Sequence, residues 1–146
     1  MNFNMITSEI ELIGNSITNI DVKNNIAEYN NDMSKSFGLD VKDIKIEKHD
    51  NKKIGEVVLN IQVEVTGTED STFKMDMDID GAFATELETS DDKFMQLLYI
   101  NGVSALIGIA RGKIETITAS VFNSGKISIP FVNVLDYYKE ITSGKQ

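Results

Sequence analysis

The sequence predicts an α+β fold: a four-stranded antiparallel sheet with a long helix and a short C-terminal helix packed on one face. Two observations predict it. Apolar residues in the first half of the chain alternate with a period of two, and from Asn101 onward their spacing changes to threes and fours. Strand side chains alternate between faces, whereas helix side chains return to one face every 3.6 residues, so the change of period marks a change of element. With 146 residues the chain has room for one core and not for two ordinary ones, so 1–146 is read as a single domain.

The strands follow in order. Ile10, Leu12, Ile17, Ile20 and Val22 mark a long irregular strand. Residues 24–35 are polar and read as a connecting loop, with a helical turn as the alternative. Ile44 and Ile46 alternate with Lys45 and Glu47 in a second strand. In residues 56–66, Val57, Leu59, Ile61, Val63 and Val65 share one face, and Glu56, Asn60, Gln62 and Glu64 share the other. Residues 73–80 repeat the pattern, with Phe73, Met75, Met77 and Ile79 against Lys74, Asp76, Asp78 and Asp80. The polar Gly67-Thr68-Glu69-Asp70-Ser71 between them has the length and chemistry of a hairpin loop. The four strands are expected to lie largely consecutively, with one wet face.

The helices come next. Residues 91–99 read as a short helix before a break at Asn101-Gly102. Val103, Leu106, Ile107, Ala110, Ile114, Ile117 and Val121 then form one helical face, which runs to the stop at Asn123-Ser124-Gly125. The opposite face carries Ala105, Gly108, Ile109, Gly112, Thr116 and Ala119, small or apolar where a surface helix should be charged. Helical glycines cost roughly 1 kcal/mol each against alanine, and close approach of another backbone is one reason to keep them. This face is therefore read as an oligomer interface covered by a second subunit. Residues 133–141 form the last helix, with Val134, Leu135, Tyr138 and Ile141 on one side.

Composition narrows the chemistry. Lys plus Arg number 14 and Asp plus Glu 23, a formal net charge of -9, which repels phosphate backbones and anionic lipid and makes nucleic acid a poor partner. There is no cysteine and one histidine, so thiolate chemistry is excluded and a histidine metal centre has little to draw on. The N-terminal Met1-Asn2-Phe3-Asn4-Met5 has neither a basic segment nor a long apolar run after it, so no signal peptide is expected. The uncharged stretch 94–110 is 17 residues long, short of the about 20 a spanning helix needs, and reads as a buried core helix. The expected location is the cytoplasm.

No element carries the pattern of an active site. Asp76-Met77-Asp78-Ile79-Asp80-Gly81 matches the opening of a calcium loop, but its twelfth position is Leu87 and the preceding segment alternates as a strand. The solvated face of a strand accounts for it better. His49 lies among Lys48, Asp50 and Lys52 with no orienting partner or pocket in view. Lys42, Lys45, Lys48, Lys52 and Lys53 are interleaved with Asp43, Glu47 and Asp50, as on a solvated strand and turn. Phosphate-binding glycine loops and nucleophile elbows are absent. The sequence therefore predicts a protein that is not an enzyme and uses no cofactor or metal.

The ordered set of elements resembles the SecB family of export chaperones. The segment from Gly55 to Val65 resembles the family's central strand, and Phe73 through Phe83 is similar to its next strand, closing on Asp80-Gly81-Ala82-Phe83. Ala105 through Ile114, with Ala110-Arg111 at an Ala-Arg pair, resembles the start of the long helix. Ile127 through Val134 resembles the lead into the last helix, with Asn133 in register and Pro130 displaced by one. The resemblance spans roughly residues 10–140. Gly108 stands where the family usually has proline. Asn19 and Lys23 stand where acidic residues help bind the SecA motor, and Lys74 where an apolar residue is usual. Asp76 matches an acidic position of that contact and is the one motor-contact candidate. The chain ends Ser143-Gly144-Lys145-Gln146, without the acidic tail of some members.

The resemblance implies a homotetramer, a dimer of dimers with the long helices at the interface. It implies an ATP-independent holdase that binds unfolded or pre-secretory polypeptides in apolar grooves, without membrane insertion, as part of protein export. Ile44, Ile46, Val65, Phe122, Phe131, Val134, Leu135 and Tyr138 are the candidates to line a groove, each also readable as a core residue. The alternatives are a dedicated chaperone for one client, such as an antitoxin, and an oligomeric interaction module without chaperone activity.

Overall fold

The computed structural model describes residues 9–144. The readings made above on Met1–Met5 and on the Lys145-Gln146 end lie outside these residues. Four strands, β1 (Glu11–Asn24), β2 (Ser34–Lys48), β3 (Lys53–Thr66) and β4 (Thr72–Thr85), form one antiparallel sheet in the order β1-β4-β3-β2. Then follow α1 (Asp91–Leu97), a π-turn (Leu98–Gly102), α2 (Val103–Val121) and α3 (Val134–Ser143). The expected α+β architecture is present.

The sheet core is the apolar ladder seen in the alternation. Across β3 and β4, Leu59 faces Ile79, Ile61 faces Met77, Val63 faces Met75 and Val65 faces Phe73, and all eight are buried. The hairpin loop from Gly67 to Ser71 closes with Glu69 and Asp70 both at positive φ.

The strand order corrects the expectation of consecutive neighbours at one edge. β1 pairs with β4, not with β2. Hairpins tie β2, β3 and β4 into a meander, so the free edge open to β1 is that of β4, and a long connection closes a Greek-key arrangement. Residues 25–33 make that connection across the end of the core. Asn25 N donates to Thr72 O (3.0 Å) and Asn123 N to Ala27 O (2.7 Å), while Ile26 and Tyr29 are buried beneath.

β2 is longer than its alternation suggested, and β1 is long and irregular as expected, because bulges reverse the phase of each. In β2, Phe37, Leu39 and Val41 face Val63, Ile61 and Leu59, and after the irregularity between Val41 and Asp43 it is Ile44 and Ile46 that continue the same face. In β1 the irregularity between Ile17 and Asn19 likewise shifts the inward positions to Ile20 and Val22. One extra residue moves every later side chain to the opposite parity.

The expected break at Asn101-Gly102 is instead a wide turn inside a continuous helix. Val103 N donates to Leu98 O, five residues back, which marks a π-turn. Gly102 lies against the Phe83 ring, where a Cβ would sit 3.3 Å from a ring carbon. Residues 91–121 thus form one helix of 31 residues, long and apolar enough by length and composition to cross a membrane. Its apolar side chains Phe94, Leu98, Leu106, Ile107 and Ile114 are buried against the sheet, which accounts for the apolar residues on that side. The approach is close: a Cβ on Gly55 would lie 2.5 Å from Leu98 Cδ1, and one on Gly81 would lie 2.6 Å from Leu106 Cδ2.

Candidate functional site

Three surfaces carry the residues singled out in the sequence. The first is the connector between α2 and α3. It is fixed from inside by Thr118, a buried residue whose hydroxyl donates to Ile114 O (2.7 Å) and accepts from Ile127 N (2.9 Å). The side chains of Ile127 and Ile129 anchor it in the core. From outside, Arg111 Nε donates to Ile129 O (3.2 Å) and Nη2 to Pro130 O (3.1 Å). The same guanidinium lies 4.4 Å from the centroid of the Phe131 ring. Phe131 is 91% exposed and Leu135 46% exposed, so the pinned connector presents apolar side chains to solvent.

α3 then turns back toward the helix–sheet junction. Asn133 caps it by accepting from Asp136 N (3.1 Å). The Tyr138 ring packs against Tyr99 of the π-turn at 5.7 Å. Tyr137 lies against the Val41 backbone of β2; its burial, with Asp40 and Tyr99 nearby, raises its hydroxyl pKa.

The second surface is the outer side of α2. Gly108, Gly112, Thr116 and Ala119 are exposed, and Ala105 and Ile109 are half-buried. A Cβ built on Gly108 or Gly112 would meet nothing within 4 Å. Ile17 of β1 joins Ile109, Gly112, Thr116 and Ile117 in lining a shallow apolar depression there. Among the described residues, Gly108 also borders a small depression with Phe131, Val132 and Val134, so other elements flank these glycines without reaching the space a Cβ would fill.

The third surface is the outer face of the sheet. Asn60 Nδ2 donates to Asp76 Oδ1 (2.6 Å) and to Asp78 Oδ1 (2.8 Å), and Lys42 pairs with Asp78 at 3.1 Å. The Asn60 hydrogen bond, helped by Lys42, holds the Asp78 carboxyl below its ordinary value. Asp80 moves the other way: burial, then a hydrogen bond and charge repulsion from Glu56, push it up to about 6. The carboxylates of the calcium-like motif project from a strand, and among the described residues no group of three His, Cys, Asp or Glu is placed to hold a metal ion. His49 sits in the β2–β3 turn, its Nε2 3.7 Å from Glu47 Oε2.

No protein-family model and no curated protein matches the sequence. By structure, the chain is similar to the Mycobacterium tuberculosis SecB-like chaperone Rv1957, solved in complex with a ChAD peptide from the Rv1956 HigA1 antitoxin. The TM-score is 0.62 at 8% sequence identity, over 86% of this chain and 91% of the other. The fold is SecB-like. A Streptococcus agalactiae protein of unknown function aligns less well, with a TM-score of 0.42 at 12% identity over 84% of this chain and 98% of the other.

Within the SecB-like fold the groove candidates separate. Phe131 and Leu135 are exposed on the connector and α3, and Tyr138 is half-buried beside them. Ile44 and Ile46 are half-buried on the inner face of the edge strand β2. Val65 (0% exposed), Phe122 (4%) and Val134 (7%) are core residues and present no groove surface in this conformation. Phe122 is held by the rings of Tyr29 and Phe73, and Val65 by its pairing with Phe73.

Asp76 is exposed on the sheet face, with Asp21 opposite it in β1. Asn19 and Lys23 stand opposite Asp78 and Lys74. Sequence reasoning missed Phe37 and Val132, both partly exposed, and it missed the role of Arg111. The bulge hid the first; for Arg111, the available signal was a cation on an otherwise small or apolar helix face.

Proposed function

We propose that the chain is an ATP-independent, SecB-like chaperone that holds unfolded or pre-secretory polypeptides, and not an enzyme. The observation that carries this reading is that the α2–α3 connector and the first turn of α3 keep Phe131 and Leu135 at the surface, although the fold has a core to receive apolar side chains. Burying one such side chain against a client contributes about 1.5–3 kcal/mol, so a few contacts suffice for reversible capture. The half-buried Ile44 and Ile46 on β2, and the backbone edge of that strand, offer further contact. The peptide bound to the M. tuberculosis neighbour supports polypeptide as the class of ligand.

The proposed working form is a cytoplasmic homotetramer, one SecB-like domain per chain, assembled through the outer side of α2. A contact with the SecA motor would use Asp76 and its neighbour Asp21; Lys23 and Lys74 beside them weaken that surface. A second reading, a chaperone dedicated to one client, is favoured by the antitoxin origin of the neighbour's peptide. The test is suppression of aggregation of a chemically denatured model protein without nucleotide, combined with mass-resolved sizing with and without that substrate. The holdase reading expects suppression at near-stoichiometric chaperone and a complex of higher mass. No suppression for varied substrates, with pull-downs dominated by one small partner, rejects the general role and favours the dedicated one. No binding at all leaves an interaction module.

A further inference from the structure

Arg111 has more donors than its fold contacts use. A guanidinium carries five N–H donors, and here two are engaged, by Ile129 O and Pro130 O. Among the described residues no carboxylate lies within ion-pair distance of it. The acid one turn further along α2, Glu115, is engaged by Lys126 at 3.8 Å and by the Ser128 hydroxyl at 2.5 Å. Arg111 is the single arginine among the 14 basic residues of the chain. It also stacks on Phe131, the most exposed large apolar side chain described. A half-buried cation on α2 and an exposed hydrophobe on the connector, which Thr118 fixes from beneath, are thus held in contact.

We propose that Arg111 and Phe131 form one recognition point for an extended polypeptide segment in which an apolar side chain is flanked by a carboxylate. The inference rests on the polypeptide-binding reading above and adds a preference to it. Phe131 receives the apolar side chain. The remaining N–H groups of Arg111 meet the carboxylate, and the planar guanidinium suits that group better than an ammonium. The net charge of -9 opposes acidic ligands at long range, but the Debye length of about 8 Å near physiological salt confines that repulsion, while contact at Arg111 is local.

The test compares two short fluorescent peptides of the same apolar sequence, one flanked by Glu and one by Gln, by anisotropy near physiological salt. Wild type is expected to bind the Glu peptide about two- to five-fold more tightly, the range of an exposed ion pair. Arg111→Met, which keeps the stem and removes the charge, is expected to bring this ratio to one even if the connector loosens, because loosening weakens both peptides alike. Phe131→Ala is expected to weaken both. Equal affinity of wild type for the two peptides, a preference for Gln, or an unchanged ratio in Arg111→Met overturns the inference and leaves the chaperone reading standing. Binding of neither peptide while aggregation is still suppressed does the same. Binding of neither, with no suppression, overturns both.

Discussion

Gly108 and Gly112 offer a perturbation whose sign depends on whether α2 is covered. In the single chain a Cβ at either position meets nothing within 4 Å, so Gly→Ala carries no steric cost there. It removes the entropic penalty of helical glycine, about 1 kcal/mol per site. Gly108→Ala combined with Gly112→Ala should then stabilise an isolated chain by about 2 kcal/mol, and at about 2–4 °C per kcal/mol for a chain near this size the midpoint would rise by roughly 4–8 °C. If instead a second copy packs its backbone against this face, the two methyl groups hold the subunits apart and the sign reverses. The proposed assembly expects the reversal: a smaller species by light scattering, and a midpoint that falls and varies with protein concentration. Gly108→Leu should give the same result more strongly. An unchanged mass together with a higher midpoint would refute the interface.

Two further outcomes test the fold around the site. Thr118→Val preserves shape but leaves Ile127 N–H buried without its acceptor; an unsatisfied buried donor costs about 1–3 kcal/mol, so the melting midpoint should drop by several degrees, and an unchanged midpoint would show that the connector is not held from beneath. Asp80 predicts a pH dependence. Its carboxyl is raised from 3.8 to about 6, so the fold favours its protonated form. That contribution is complete below 3.8 and is lost as pH rises through 6, whereas Asp78, shifted downward, loses its contribution on the acid side of 3.8. Between these two values stability should fall with rising pH, and Asp80→Asn should flatten that slope; a slope that persists unaltered would assign it to other groups.

The central hairpin was legible in the sequence because β3 and β4 alternate without interruption and their loop has hairpin chemistry. β2 was half legible. Its bulge puts Phe37, Leu39 and Val41 on one parity and Ile44 and Ile46 on the other, so a strict period-two reading finds only the second group. The position of β1 beside β4 could not be read from local pattern, since pairing at a distance leaves no periodic trace. The helix break was misplaced for a physical reason: Asn101-Gly102 has the composition of a stop, but Gly102 is needed for contact with Phe83, and a π-turn carries the helix through. Among the site residues, apolar spacing could not separate Val65 and Phe122, which are inside, from Phe131, which is outside. That distinction depends on where the connector is pinned, and the pins, Thr118 and Arg111, belong to the preceding helix.

The topology also explains why one side of α2 stays bare. The buried positions Phe94, Leu98, Gly102, Leu106, Ala110, Ile114 and Thr118 recur every four residues. A four-residue repeat drifts around an ideal 3.6-residue helix, and the wide turn at Leu98–Gly102 counters part of that drift, so both halves of the helix face the sheet. After Phe122 the remaining described chain has two tasks. The connector runs along the Arg111 side of α2, and α3 returns to the π-turn and β2 through Tyr138 and Tyr137. The connector flanks Gly108 through Phe131 and Val132, but among the described residues it leaves the space a Cβ would fill at Gly108 and Gly112 open. Charged residues at those exposed positions would have suited a monomer as well or better, and helical glycine is unfavourable unless something comes close. A second copy of the chain would supply that approach, which is why the glycine substitutions, more than any change in the core, decide between a monomeric and an assembled protein.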